Sequence, residues 1–149
     1  MSLKGKYFDF PKGILWECKR CAKCCRDASY RERKILLLPL EAKQIARTLG
    51  FQIENLCRKT GLQPFTFEMK KDSEGNCIFL KGNECQIYTI RPLICRFYPF
   101  WLEKRGNGIF SFNVTEECTG IGLGPLMKDD LFKKLFDMAI GKLNGKRRQ

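Results

Sequence analysis

Apolar residues recur at helical spacing in two stretches of this chain and at strand spacing, or in short runs, elsewhere. From Pro125 onward, Leu131, Phe132, Leu135, Phe136, Ala139, Ile140 and Leu143 share one face, with Asp129 and Asp130 near the start and basic residues after the end. That pattern predicts an amphipathic helix with its stripe turned to a core. Ala42, Ile45, Ala46 and Leu49 keep the same period between Pro39, suited to a first turn, and Gly50, suited to a stop, and predict a second helix. A short third helix is expected to use Ile53, Leu56 and Cys57, ending before Gly61 and Pro64. Lys34 to Leu38 is a buried-strand candidate, although four aliphatics do not separate strand from helix. Phe65, Phe67 and Met69 alternate as a strand, and Asp72-Ser-Glu-Gly75-Asn turns into Cys77-Ile-Phe-Leu80, a predicted hairpin. Tyr98 to Leu102 and Ile109 to Val114 predict another strand pair around Glu103 to Gly108. Residues 1 to 17, with Tyr7, Phe8, Phe10 and Trp16, read as an extended lead-in packed on the core. The expected fold is α+β: short strands and hairpins with about three helices, organised around cysteine metal sites.

Length changes the picture little: 149 residues suit one domain, 1–149, and 12 Phe, 4 Tyr and 2 Trp supply its core. There is no internal repeat or linker. The longest aliphatic run, Ile35 to Leu38, is far short of a bilayer span, and the first six residues lack an apolar stretch. A cytoplasmic protein without membrane contact is expected, with Lys146-Arg147-Arg148 as a solvated tail.

Cysteine usage carries the chemistry. Eight of nine cysteines form a crowded group, Cys18, Cys21, Cys24 and Cys25, and a spread one, Cys77, Cys85, Cys95 and Cys118. Thiolates two residues apart can face one ion, and loop closure adds distant ligands at slowly growing entropic cost. In a reducing compartment such cysteines read as ligands for zinc or an iron–sulfur cluster, with disulfides the alternative. Neighbouring side chains diverge, so Cys24 and Cys25 are expected to serve different sites or to leave one packed in the core. Cys57 reads as a small buried apolar residue. The chain has no histidine, which excludes His-based acid–base catalysis, Cys-His dyads and mixed Cys/His zinc sites. Its formal charge is +12, and two four-thiolate sites would lower that to about +8, because the ligands bind deprotonated.

The second cysteine group lies in Gly75-Asn-Cys77-Ile-Phe-Leu80, Cys85-Gln-Ile-Tyr-Thr-Ile-Arg91-Pro-Leu-Ile-Cys95-Arg96 and Cys118-Thr-Gly-Ile-Gly122. With the CxxCxxCC run at 18 to 25 and Leu38-Pro-Leu-Glu41, these resemble the YkgJ-like family of cysteine-cluster proteins from about Trp16 to Gly124. The resemblance implies chelation of zinc or iron and names no settled reaction. Ala22 departs from the family, which often has Gly there.

Arg91 and Arg96 are candidates to stabilise an anionic thiolate cluster, or else to sit exposed or paired with carboxylates. Gly120-Ile-Gly122-Leu-Gly124 lacks the context of a nucleotide loop and reads as a backbone bend beside Cys118. Lys19, Arg20, Lys23, Arg26, Arg31, Arg33 and Lys34 crowd the first cysteines, so a nucleic-acid-binding zinc module is the alternative function. A third reading is an iron–sulfur redox or methyltransferase-associated protein, since a similar cysteine domain occurs in flagellin lysine methylase. No catalytic residue, substrate-cofactor pocket or protein partner is legible.

Overall fold

The computed structural model describes residues 7–143 and is mixed α+β; the Lys146-Arg147-Arg148 tail lies outside the described residues. In chain order its elements are β1 (Tyr7–Asp9), β2 (Leu15–Trp16), β3 (Leu36–Leu37), α1 (Pro39–Leu49), α2 (Ile53–Leu56), β4 (Cys57–Lys59), β5 (Phe67–Met69), β6 (Leu80–Lys81), β7 (Glu84–Cys85), α3 (Leu93–Phe97), β8 (Phe100–Gly106), β9 (Ile109–Val114), β10 (Ile121–Leu126) and α4 (Asp129–Leu143). The described residues divide into two compact units, one built from residues 7–19 and 97–143, the other from residues 20–96.

The unit drawn from both chain ends is aromatic. β8 and β9 pair antiparallel as expected, but the turn read between Glu103 and Gly108 shrinks to Asn107-Gly108, flanked by the Gly106–Ile109 pair. Both residues have positive φ, 41° and 81°, the conformation that a two-residue hairpin loop with native twist requires. The lead-in is itself a strand: β1 adds parallel to β9, with Phe8 opposite Phe110. Phe8 then meets Phe112 edge-on at 5.6 Å and Phe136 at 4.8 Å, while Phe10 stacks on Phe132 at 4.6 Å. α4 supplies Phe132 and Phe136, both fully buried, so the predicted stripe is core.

The unit of residues 20–96 is aliphatic. α1 occupies the predicted residues, opened by Pro39 and closed by Gly50 at φ 73°. Its Ala42, Ile45 and Ala46 pack in one cluster with Leu37 of β3, Met69 of β5 and Cys57 of β4. β5 is the central strand between β3 and β4, antiparallel to both. Two expectations therefore change. The third helix is a single turn, and Cys57 opens a strand, because the Cys57–Lys59 backbone gains a ladder with Met69 to Phe67. The hairpin from β5 into Cys77 is reduced to one bridge between Lys71 and Cys77, since both edges of β5 are already paired. Cys57 is buried in the core, as its apolar reading expects.

Candidate metal centre

The first cysteine segment is a loop that other residues hold in shape. Arg20 and Ala22 adopt left-handed backbone, with φ of 57° and 63°, and Lys23–Cys25 form one short 3-10 turn. Ala22 therefore stands in the conformation for which glycine is the least strained residue, which accounts for the Gly that the family often has there and leaves the Ala of this chain strained. Two arginines fasten the turn from outside. Arg31 donates to the carbonyl oxygens of Arg26 at 2.6 Å and Lys23 at 2.8 Å, and Arg33 Nε donates to that of Cys24 at 2.8 Å.

This loop is stitched to the second cysteine segment. The Cys77 N–H donates to the Cys25 carbonyl at 2.7 Å, and the Asp27 N–H to that of Gly75 at 2.9 Å. Gly75, at φ 82°, lies so close that an added Cβ would stand 2.7 Å from Asp27 Oδ2. Asp27 Oδ1 accepts from the Arg33 N–H and from Lys71 Nζ, each at 2.7 Å. These bonds hold the Asp27 carboxyl below the usual carboxylate range, with the Lys71 bond the largest cause.

Cys77 and Cys85 stand around the β6–β7 hairpin, where Leu80 pairs with Cys85. The Phe79 N–H points to Cys77 Sγ at 3.5 Å, and the Ile87 N–H favours the Cys85 thiolate. Amides two residues past each sulfur thus face it, an arrangement that stabilises thiolate charge. Cys95 lies on α3, whose N-terminus is set by Glu41. That buried carboxylate accepts from the Leu38 N–H at 3.1 Å, at the start of α1, and from the Leu93 N–H at 2.6 Å.

Electrostatics links these sulfurs more tightly than spacing did. Every pair among Cys24, Cys77, Cys85 and Cys95 is close enough for one thiolate to oppose another. Burial raises Cys77 to about 11 and pushes Cys85 and Cys95 up as well. Cys24 is raised mainly by its contact with Cys25, and then by burial. The Cys24 and Cys25 sulfurs are 3.9 Å apart, so these neighbours do not diverge as expected; the 3-10 turn brings them together. Positive charge opposes the rise: Arg33 acts on Cys24 and Cys95, and Arg91 on Cys85.

The remaining sulfurs are placed differently. Cys21 is half-buried in the unit of residues 20–96. Cys18, exposed, and Cys118, buried, belong to the other unit, where Trp16 Nε1 donates to Cys118 Sγ at 3.3 Å. β2 pairs Trp16 with Ile121, and an added Cβ on Gly120 would fall on the Glu17 carbonyl. The glycine run is thus a close backbone approach beside Cys118. None of the nine cysteines is in a disulfide. Among the described residues, no three cysteine, aspartate or glutamate side chains converge tightly enough to enclose an ion. The four sulfurs do not form a closed cage; thiolate is the donor type that zinc and iron–sulfur cores take.

A family model named CxxCxxCC and described as "Putative zinc- or iron-chelating domain" matches residues 17–119. The chain belongs to the CxxCxxCC family. That membership supports metal binding in general. The chain is also similar to two uncharacterized proteins of Methanocaldococcus jannaschii. It is 30% identical to MJ0661 over 144 residues, which cover 92% of this chain and 75% of the relative. It is 29% identical to MJ0939 over 139 residues, 85% of this chain and 47% of the relative, so it spans less than half of that protein. No solved structure matches. Among the described residues, no helix is long and apolar enough to cross a membrane.

Sequence reasoning missed the roles of Glu41, Arg33 and Asp27. Glu41 carried a readable signal, because an acid three residues into a helix commonly reaches back to the N-terminal amides. Arg33 was grouped with the surface bases. Arg96, by contrast, donates to the carbonyls of Arg91 at 2.9 Å and Thr89 at 2.8 Å, which is a structural task.

Proposed function

We propose that this CxxCxxCC protein chelates zinc or an iron–sulfur core through Cys24, Cys77, Cys85 and Cys95, with zinc ahead for material isolated in air. Cys18, Cys21, Cys25 and Cys118 remain in the proposed donor set without a grouping. The observations that carry the reading are the family match over residues 17–119 and the packing of Cys25, Cys77, Cys85 and Cys95, from three separate segments, in one cluster, with the Cys24 sulfur 3.9 Å from that of Cys25. Deprotonated sulfurs so close together repel unless a cation lies among them, which is the condition a bound metal would supply. A bound cation would supply charge neutralisation and a cross-link between those segments. The chain's own part is to orient the sulfurs: Glu41 sets the helix start before Cys95, and amide hydrogens face Cys77 and Cys85. We read residues 1–149 as one cytoplasmic domain, where thiols stay reduced.

Elemental analysis of protein purified without oxygen tests this directly. At least one equivalent of zinc or iron per chain is expected, with Cys24→Ser, Cys77→Ser, Cys85→Ser and Cys95→Ser each lowering it. A brown protein with sulfide-to-iron absorption would assign the cluster; a colourless, loaded one assigns zinc. Wild-type protein holding neither metal would refute the reading.

A further inference from the structure

We propose that Lys71 is a positioning residue that holds the two cysteine segments of the 20–96 unit in register before an ion is bound; this rests on the reading of those cysteines as donors. Its backbone forms an antiparallel bridge with Cys77, at the base of the turn that leads into that residue. Its ammonium reaches back 44 positions to the stretch after Cys25. There it meets Asp27 Oδ1 at 2.7 Å, the Arg33 carbonyl at 3.0 Å and Glu32 Oε2 at 3.6 Å. Asp27 and Arg33 are the residues that grip the cysteine loop: the Asp27 N–H donates to the Gly75 carbonyl at 2.9 Å, and Arg33 Nε to the Cys24 carbonyl at 2.8 Å.

Burial and reach set this contact apart from the other ion pairs of the segment. Lys19–Glu17 and Lys34–Glu32 join exposed near neighbours in sequence, and such pairs contribute little and fix no long-range register. The Lys71 side chain is only 12% exposed, so its charge is largely out of water and is tolerated because three oxygens surround it. Asp27 Oδ1 is shared between Lys71 and the Arg33 N–H, so the one carboxylate ties both ends of the 27–33 stretch to the ammonium.

The seam that this clasp closes is the one on which Cys77 and Cys25 meet. Beside it lie the Cys77 N–H to Cys25 carbonyl bond at 2.7 Å and the Arg26–Asn76 bridge. Donors from separate segments capture an ion only in the fraction of molecules that hold them together, and the apparent affinity falls with that fraction. A residue acting in this way governs capture of the ion and leaves its release unchanged, because the bound arrangement is the same.

Two measurements on the full chain test this. In reduced, metal-free protein, the rate at which iodoacetamide labels the buried Cys77 is followed by mass spectrometry, a readout that needs no metal. Loss of a hydrogen bond between charged groups shifts the balance of closed and open forms about tenfold or more, so Lys71→Met is expected to label at least about tenfold faster than wild type. Zn(II) affinity, by competition with a chromophoric chelator, is expected to fall by a similar factor, carried by slower association with an unchanged chelator-driven release rate. Lys71→Arg keeps the charge and is expected to recover most of both losses. Asp27→Asn is expected to reproduce them, and the double variant to be no worse than either single one, since the two share one contact. If circular dichroism finds Lys71→Met unfolded, Asp27→Asn carries the same test. Wild-type labelling and wild-type zinc association in Lys71→Met overturn the proposal. So does a loss of affinity that comes from faster release, which assigns it to the bound site. Wild type that binds no zinc refutes the metal reading, while the labelling rates are read independently of it.

Discussion

Replacing Glu41 should loosen the element that carries Cys95. The carboxylate is 2% exposed and accepts from two buried backbone amides, Leu38 at 3.1 Å and Leu93 at 2.6 Å. Hydrogen bonds to a charged group contribute about 1.5–3 kcal/mol each, and an amide left buried without a partner costs about 1–3 kcal/mol. Removing a buried charge also returns its desolvation cost, which trims the loss. For Glu41→Ala we therefore expect a net destabilisation of about 2–4 kcal/mol, or roughly 5–15 °C in Tm for a chain of this size. Glu41→Gln keeps one acceptor and turns an amide donor toward the other N–H, so about half that loss is expected. Thermal and urea denaturation of the metal-free protein, followed by circular dichroism, measures both. A Glu41→Ala protein within about 0.5 kcal/mol of wild type, the range of ordinary surface substitutions, would refute the bridging role.

Three further outcomes follow from backbone and charge. Gly120→Ala should cost about 2–4 kcal/mol, because its Cβ meets the immovable Glu17 carbonyl, whereas Gly122→Ala, at φ 92° in open space, should cost about 1 kcal/mol; parallel melts rank the two. Ala22→Gly should raise stability by up to about 1 kcal/mol, since relief of the left-handed strain outweighs one lost methyl; an unchanged or lower Tm contradicts it. Asp27 is held below its ordinary range in the folded state, so its contribution is present above the ordinary carboxylate pKa and disappears as pH falls through the lowered value. Asp27→Asn should accordingly flatten the acid limb of the stability curve, measured by urea midpoints from pH 2 to 6.

α1 and α4 were legible because each carried both a period and punctuation. Pro39 and Gly50 bracket α1 at the residues the sequence indicates, and the aromatic stripe of α4 lies against a sheet. The Ile53 to Cys57 segment was not legible: five residues satisfy a helical face as easily as a turn followed by a strand, and pairing with β5 decided between them. In the candidate site, residue type was informative and grouping was not. The sequence leads one to expect Cys24 and Cys25, as neighbours, to diverge, yet the 3-10 turn sets their sulfurs 3.9 Å apart. Long-range stitching through Asp27, Gly75 and Arg33 involves partners up to 48 positions apart, beyond the reach of any local pattern.

The basic residues around the first cysteines bear on the nucleic-acid alternative. Phosphate recognition needs outward-facing N–H groups, but Arg31 and Arg33 donate to carbonyls of the loop, and Arg26 to the Gly82 carbonyl and Asn83. Lys19 and Lys34 pair with Glu17 and Glu32. Each phosphate contact contributes about −0.9 to the slope of log affinity against log salt for duplex DNA. If Arg31 and Arg33 contacted phosphate, replacing both by glutamine would make the slope shallower by about 2. Their inward contacts lead us to expect any residual polyanion binding to keep its slope, which fluorescence anisotropy between 50 and 200 mM salt measures. A slope that falls by about 2 in the double variant would return these arginines to a binding surface and would contradict their assignment as fasteners of the cysteine loop.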